Sequence, residues 1–180
     1  MFRRKSVLAA LTALALALTV IPGGAAQAAG TGDGWYRIKP RSNSLLALWP
    51  SGLGNGNAVR FSYAGTSYQQ IQQWSKTIDA DGYARFRSAA TSSQYALTVD
   101  SEVVNNVFQG LMVYTNNPSS TSQKWSVRLA ATVGSVSFYR IENIGTHKCL
   151  TALDGSDLGD QAWVMSPCNT STLQQWQFED

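Results

Sequence analysis

The sequence is poor in the residues that most enzymes use for catalysis and metal binding. It has one histidine, His147, and only two cysteines among 180 residues. A Ser-His-Asp or Cys-His arrangement would need this single histidine, and no Gly-x-Ser-x-Gly segment marks a nucleophile. A zinc site is disfavoured for the same reason. The sequence therefore predicts a protein that is not an enzyme and that carries no metal or cofactor.

Charge is also scarce. Charged residues make up 14% of the chain, and of its 14 basic residues three lie at positions 3–5, before any acidic residue. The remainder carries 14 − 3 = 11 basic residues against 11 acidic ones. There is no basic cluster beyond Arg85 and Arg87. This balance argues against nucleic acid or an anionic membrane surface as a partner.

The amino-terminal residues have the pattern of an export signal. The basic residues at 3–5 precede an apolar run, Val7–Ile21, and an Ala-Gln-Ala cleavage signal ends at Ala28. The run is too short to span a membrane comfortably, and no later run is longer. We therefore expect residues 1–28 to be a secretory signal peptide and 29–33 a short leader, with the protein secreted and not inserted into a membrane.

The rest of the chain has no sustained apolar period of 3.6 residues. Short alternating runs, such as those at 34–38 and 83–86, are separated by clusters of Gly, Asn, Ser and Pro. Many short strands joined by turns are typical of an all-β sandwich or barrel. A length of about 150 residues suits one domain, and we place that domain at 34–180.

One motif, Gln-x-Trp, divides this domain into three. Its copies end at Trp74, Trp125 and Trp176, with equal spacings of 125 − 74 = 51 and 176 − 125 = 51 residues. A fixed period of this size indicates a supersecondary unit repeated in tandem. The predicted units span about 34–76, 77–127 and 128–180. Each has about four short strands, and the three close around a pseudo-threefold axis.

The two cysteines have a structural interpretation. An even cysteine count in an exported protein favours a disulfide, here between Cys149 and Cys168. Two free buried thiols remain the alternative.

Three features together resemble a known family. They are the Tyr-Arg-Ile segments, Lys148-Cys149-Leu150 and the terminal Gln-x-Trp of each unit. The mature chain is similar to the ricin B-type lectin domain, a β-trefoil. The resemblance implies carbohydrate binding in shallow pockets, up to one per unit. We interpret the motif residues as structural core, namely Gln72, Trp74, Gln123, Trp125, Gln174 and Trp176.

The resemblance also indicates where sugars would bind, and this sequence departs from the family there. The usual sugar-binding Asp, which follows the Cys-Leu pair, is replaced by Ala47, Thr98 and Thr151 in the three units. The aromatic position holds Ser62, Tyr114 and Ser166. The second unit keeps the most polar and aromatic groups. Its candidate sugar-binding residues are Thr98, Asp100, Tyr114, Asn116 and Gln123.

Other features admit a functional interpretation. Trp49 lies outside the Gln-x-Trp motifs, beside a Gly-rich turn, and is a candidate aromatic platform. The carboxylates of Asp79 and Asp81, or those at 154–160, are candidate catalytic pairs. All of them lie in Gly-rich segments where Asp is favoured as a turn former.

Two functional hypotheses follow. The first is a secreted, non-catalytic carbohydrate-binding module that binds galactose-type or other glycans weakly through its second unit. The alternative is a protein-interaction or inhibitor-type β-trefoil that has lost its sugar sites and binds a secreted protein.

Overall fold

The structure is a computed structural model that describes residues 32–65, 70–100, 110–152 and 163–180. The predicted signal peptide at 1–28 and the first part of the leader at 29–33 lie outside the described residues. Across these ranges, no helix has both the length and the apolar composition needed to cross a bilayer.

The all-β prediction is confirmed. In the part of the chain that the structure describes, twelve strands form one sheet. They are β1 Gly34–Pro40, β2 Leu46–Pro50, β3 Asn57–Tyr63, β4 Gln73–Ile78, β5 Ala84–Ser88, β6 Tyr95–Val99, β7 Leu111–Thr115, β8 Trp125–Val133, β9 Val136–Asn143, β10 Lys148–Ala152, β11 Trp163–Pro167 and β12 Trp176–Glu179. Short 3₁₀ helices lie at Ala89–Thr91, Thr121–Gln123 and Thr172–Gln174.

Strand pairing closes the sheet into a barrel. β1 pairs with both β4 and β12. β5 pairs with β4 and β8, and β9 pairs with β8 and β12. The strands left over form three hairpins, β2–β3, β6–β7 and β10–β11. A barrel of this kind with three hairpins, one per four-stranded unit, is a β-trefoil, as the tandem period predicts.

The three repeated tryptophans lie in the core. Trp74, Trp125 and Trp176 are each fully buried. Each indole Nε1 donates to a leucine carbonyl of its own unit at 2.9–3.1 Å. These bonds satisfy the only polar atom of a side chain that otherwise contributes apolar area to the core. The acceptors are Leu48, Leu97 and Leu150.

These carbonyls correct the alignment of the first unit. The acceptors show that Leu48 is equivalent to Leu97 and Leu150, so the buried pair of the first unit is Ala47-Leu48. The placement of Ala47 in the Asp position is therefore wrong by two residues. In the structure, Trp49 occupies the Asp position of the first unit. It pairs with Arg60 across β2 and β3, just as Thr98 pairs with Met112 across β6 and β7.

The predicted disulfide between Cys149 and Cys168 is present, with Cα atoms 4.9 Å apart. It joins β10 to the residue that follows β11. Cys149 is fully buried and pairs with Ser166 on β11. The bridge therefore reinforces the hairpin of the third unit.

A buried lysine holds the segment before β1 against the barrel. Lys76 is fully buried, and its Nζ donates to the Gly32 carbonyl at 3.1 Å. Asp33 accepts the backbone N–H of Ile78 at 2.9 Å. Burial lowers the pKa of Lys76, against an opposing effect of Asp33. Residues 32 and 33 are thus tied to β4.

Candidate functional site

A surface cleft lies where the second unit meets the third. Its volume is about 440 Å³, within the range of about 300–1,000 Å³ typical of small-molecule sites. The lining residues are Thr98, Val99, Asp100, Tyr114, Thr115, Asn117, Ser120, Thr121, Ser122, Gln123, Gly145 and Thr146. Four of the five predicted sugar-binding residues therefore line one cleft. The fifth, Asn116, does not, although Asn117 beside it does.

Asp100 and Tyr114 form the polar centre of the cleft. The Tyr114 hydroxyl donates to Asp100 Oδ2 at 2.7 Å. Asp100 follows β6, where its backbone N–H donates to the Gly110 carbonyl at 2.8 Å. The edge of the Tyr114 ring faces Gly56, where an added Cβ would stand 3.8 Å from Cε1. The hydrogen bond thus holds a carboxylate from the turn end of the second hairpin against the hydroxyl of a tyrosine from its open end.

Thr98 and Gln123 form the floor of the cleft. Gln123 Nε2 donates to Thr98 Oγ1 and to the Thr115 carbonyl, both at 3.0 Å, and its Oε1 accepts the Asn117 N–H at 2.7 Å. Both amide protons are therefore engaged within the protein. Thr98 Oγ1 also donates to the Ala96 carbonyl at 2.8 Å. This pair supports the groups above it and has little remaining capacity to bond a ligand.

The far wall comes from residues that sequence reasoning missed. The 3₁₀ helix Thr121–Gln123 and the turn at 144–147 contribute hydroxyl groups from Thr121, Ser122 and Thr146. The turn belongs to the third unit, so the cleft is shared between two units. The sequence indicates this far wall only through the small and hydroxyl residues around Gln123 and after Asn143.

Asn143 fastens the two parts of this wall. Its side chain is fully buried. Nδ2 donates to the carbonyls of Ser122 and Lys124 at 2.9 and 3.3 Å. Oδ1 accepts the N–H groups of Gly145 and Thr146, both at 3.1 Å. One side chain thus bridges the end of the second unit and the turn of the third.

Gly145 allows the turn to approach the 3₁₀ helix closely. An added Cβ there would stand 3.0 Å from Thr121 Oγ1 and 3.2 Å from the Ser122 nitrogen. Contacts this short would push the backbone of the helix outward. The width of the cleft at this point therefore depends on glycine.

We expect Asn143→Ala to lower the free energy of unfolding by about 2 kcal/mol, because it leaves several buried backbone groups without partners. It should also weaken ligand binding in the cleft, because the wall loses its anchor. Denaturant unfolding measures the first effect.

Asn43→Ala is the matched control for Asn143→Ala. Asn43 is an exposed turn asparagine whose side chain accepts one N–H, from Leu45, so its loss should cost less than about 0.5 kcal/mol. Equal losses in the two variants would contradict this role of Asn143.

In the third unit, the side chains that correspond to Thr98, Tyr114 and Gln123 are hydrogen-bonded to one another. Thr151 Oγ1 lies 2.7 Å from Ser166 Oγ, and Gln174 Nε2 donates to both hydroxyls at 3.0 Å. No aromatic ring occupies the place of Tyr114 there, because Ser166 stands in it. Among its described residues, this unit repeats the floor of the cleft without the ring.

Trp49 is the first unit's counterpart of Thr98. Its side chain is half-buried, and its Nε1 is enclosed with no hydrogen-bond acceptor among the described residues. Ser62 takes the place of Tyr114. The first unit therefore has a large, half-buried indole at the position of Thr98 and a serine at the position of Tyr114.

The other candidate carboxylates are paired with cations. Lys124 Nζ lies 2.6 Å from Asp81 Oδ2 and 3.7 Å from Asp79 Oδ2, and Arg85 also lies 3.7 Å from Asp79. The hydrogen bond from Lys124 lowers the pKa of Asp81. The acidic residues at 154–160 lie outside the described residues. Within the described ranges, no three His, Cys, Asp or Glu side chains cluster as metal ligands would.

Comparisons with solved structures agree with the β-trefoil fold. A mosquitocidal holotoxin is 22% identical with a TM-score of 0.69, over 83% of this chain and 17% of the toxin chain. The designed threefold-symmetric protein ThreeFoil is 23% identical with a TM-score of 0.63, over 82% and 99% of the two chains. A Polyporus squamosus lectin, solved with the epitope Neu5Aca2-6Galb1-4GlcNAc, is 17% identical with a TM-score of 0.63, over 83% and 50%.

A comparison with protein-family models indicates which kind of β-trefoil this is. Residues 121–180 match the model of the ricin-type beta-trefoil lectin domain-like family. The resemblance to ricin B-type lectins is thus confirmed for the part of the chain that includes the wall of the cleft from Thr121 onward. The search of curated proteins gives no match. The chain spans only 17% of the holotoxin chain, so that protein's activity does not transfer to it.

Proposed function

We propose that this chain is a secreted, non-catalytic carbohydrate-binding module that binds a glycan in the cleft of its second unit. The observation that carries the proposal is the convergence of Asp100 and Tyr114 in a cleft rimmed by hydroxyl and amide groups. The lectin-like fold and the match at residues 121–180 support the same class of ligand.

The chemistry of the cleft suits a sugar. A carboxylate accepts hydrogen bonds from sugar hydroxyls, and charge-assisted bonds of this kind are stronger than neutral ones. A tyrosine ring offers apolar area to the C–H face of a pyranose. The hydroxyls of Ser120, Thr121, Ser122 and Thr146 both donate and accept. A single shallow site of this type binds with an affinity of about 1 mM, or about 4 kcal/mol.

We propose binding without catalysis because of the number of carboxylates that line the cleft. Glycoside hydrolysis uses two carboxyl groups, about 5–10 Å apart, as acid and as nucleophile or base. Asp100 is the one carboxylate among the described residues that line the cleft. The arrangement supports binding without bond cleavage.

We expect Asp100→Ala and Tyr114→Ala each to weaken glycan binding by about tenfold or more, since each removes one of the two strongest contacts. A glycan array with densely immobilised protein identifies the ligand, and NMR titration measures its dissociation constant. Ser62→Ala is the matched control, because Ser62 occupies the place of Tyr114 in the first unit. It should bind as wild type does. A wild-type protein that binds nothing on the array would refute the proposal.

One surface favours a second function. Leu45 and Tyr63 are 66% and 59% exposed, and both belong to the open end of the first hairpin, where the Ala64 N–H donates to the Leu45 carbonyl. Exposed large apolar side chains grouped in one part of a surface are typical of protein interfaces. The test measures binding of a secreted protein to each variant. Binding that is lost in Leu45→Ser and in Tyr63→Ser but kept in Asp100→Ala would show that this surface binds proteins. Tyr68, a further aromatic of this unit, lies outside the described residues.

A further inference from the structure

One arginine recurs at the same place in each of the three units. The three copies, on β1, β5 and β9, are Arg37, Arg85 and Arg140. Each is paired across the barrel sheet with the residue that lies three positions after a Gln-x-Trp tryptophan. These partners are, in the same order, Glu179, Thr77 and Arg128. The threefold symmetry of the chain thus shows one arginine position in three settings.

On β1 and β5 the recurring arginine has a carboxylate partner. Arg37 Nη2 lies 2.8 Å from Glu179 Oε2, the residue opposite it. Arg85 Nη2 lies 3.7 Å from Asp79 Oδ2, and the same guanidinium donates to two backbone carbonyls. At these two positions the protein itself therefore supplies the negative group that balances the guanidinium.

On β9 the recurring arginine faces a second arginine instead. Arg128 and Arg140 are directly opposite each other on β8 and β9. Both point away from the core, because they alternate with Val127 and Ile141, which are buried in it. Neither guanidinium forms an ion pair with a carboxylate in the part of the chain that the structure describes. Like charges directly opposite each other on a sheet are destabilising, so this pair lacks a balancing anion.

The two guanidinium groups also have donors to spare. Arg128 Nε donates to Ser126 Oγ at 3.0 Å, and among the described residues its two terminal nitrogens have no acceptor. Arg140 Nε is enclosed, and it too has no hydrogen-bond partner there. Arg128 is exposed and Arg140 is partly exposed, so a small solute can reach the pair from solvent.

The surroundings of the pair add a further positive charge. The Arg41 guanidinium stands 5.0 Å from the centroid of the Phe138 ring, two residues before Arg140. Its side-chain hydrogen bond goes to a neutral amide. Glu142 is the one acid on β8 and β9, and its Oε1 lies 3.7 Å from His147 Nδ1. The flank of the barrel at this point is therefore positive.

We propose that Arg128 and Arg140 form a binding site for a tetrahedral dianion, namely sulfate or phosphate, taken up as the free ion or as a phosphate monoester. The dianion would balance Arg140 as Glu179 balances Arg37 in the first unit. Guanidinium groups hold such oxyanions through paired N–H···O bonds. Neither arginine lines the cleft of the second unit, so this site does not depend on the proposed function.

The test is an NMR titration that follows the backbone amides of β8 and β9 at constant ionic strength. The probes are sulfate, inorganic phosphate and glucose 6-phosphate, at about pH 8, where phosphate monoesters are dianions. Chloride and glucose are the controls for ionic strength and for the sugar. We expect the dianions to give saturable shifts around Arg128 and Arg140 with dissociation constants of about 1–10 mM, since exposed charges are screened. Chloride and glucose should give no saturable shift there.

A pair of equivalent substitutions assigns the binding to the third unit. Arg140→Gln should weaken dianion binding by about tenfold or more, because it removes one of the two charges. Arg37→Gln is the matched control. It makes the same change of net charge at the equivalent position of the first unit, where the guanidinium is already paired with Glu179, and it should leave dianion binding unchanged.

Arg128→Glu tests the inference while keeping the recurring arginine. It places a carboxylate opposite Arg140, as Glu179 stands opposite Arg37 in the first unit. We expect this variant to lose dianion binding and, at low salt, to melt at a higher temperature than the wild type, because an ion pair replaces two like charges. Sulfate should raise the melting temperature of the wild type more than that of this variant, because only the wild type binds it.

The outcomes also identify the source of the dianion. Saturable binding of the inorganic ions alone would support a site for the free ion, and equal or tighter binding of glucose 6-phosphate would support a site for a phosphate monoester. Shifts that do not saturate, that chloride reproduces, or that survive in both Arg140→Gln and Arg128→Glu would overturn the inference. A failure of glycan binding in the cleft would leave it standing, because the glycan variants and these variants change different residues.

Discussion

Replacing Trp125 with alanine is expected to lower the free energy of unfolding by about 4 kcal/mol. The indole is fully buried, and its ring meets the Phe86 ring edge-on at 6.4 Å between centroids. Truncation removes this apolar volume and leaves a cavity in the core. It also leaves the Leu97 carbonyl without the N–H that it accepts at 3.1 Å. Urea unfolding with linear extrapolation measures the loss.

A second substitution at the same position separates the two effects. Trp125→Phe retains most of the apolar volume and removes the indole N–H, so we expect a loss nearer 1–2 kcal/mol. Because Leu97 precedes Thr98 in the cleft floor, Trp125→Ala should also weaken glycan binding more than Trp125→Phe does. A loss below about 1 kcal/mol for Trp125→Ala would show that the core does not depend on this ring.

Loss of the disulfide is expected to cost about 3 kcal/mol. The bridge closes a loop of 19 residues. The chain-entropy model assigns a stabilisation of about this size to a loop of that length, because the cross-link restricts the unfolded chain. The change to make is Cys149→Ala with Cys168→Ala, measured by denaturant unfolding beside the oxidised wild type.

The fold itself provides the control for this change. Cys149 occupies the position of Ala47 and Ala96 in the other two units, and all three residues are fully buried. Alanine is thus a residue that this position accepts, and the substitution isolates the cross-link from packing. A reductant should destabilise the wild type and leave the double variant unchanged. Equal stability of the oxidised wild type and the double variant would refute the estimate.

The sequence was sufficient for the architecture because its strongest signal is a physical requirement of the core. Three buried tryptophans must recur at equivalent places if three units are to fill one barrel, and the spacing of 51 residues records this. Their burial and their repeated Nε1 bonds account for the motif. The Gln side chains at 123 and 174 recur for a related reason, since each ties a hairpin to the loop after it.

The prediction for the first unit is wrong by two residues because two similar apolar pairs, Leu45-Leu46 and Ala47-Leu48, lie close together there. Leu45-Leu46 resembles the pairs of the other units, but Leu45 is 66% exposed. The acceptor lies 26 residues before the tryptophan in the first and third units and 28 in the second. Counting back from Trp74 by that spacing identifies Leu48, and with it the true position of Trp49.

The candidate site could be predicted only in part. Asp100 and Tyr114 follow from the strand pattern of one unit, because both belong to the same hairpin. The wall formed by Gly145 and Thr146 comes from the next unit, and Asn143 holds it by bonds to backbone carbonyls. Such bonds depend on how units dock, and the residue types alone do not encode that docking.

The pairing of β1 with β12 has a consequence for the order of folding. Lys39 and Glu179, whose side chains are bonded across these strands at 3.1 Å, are 140 residues apart in sequence. During synthesis from the amino end, one edge of β1 has no neighbour until residue 179 has been made. Contacts between residues so distant in sequence form slowly. We therefore expect barrel closure to follow the other strand pairings, with β1 presenting an open edge to other chains until then.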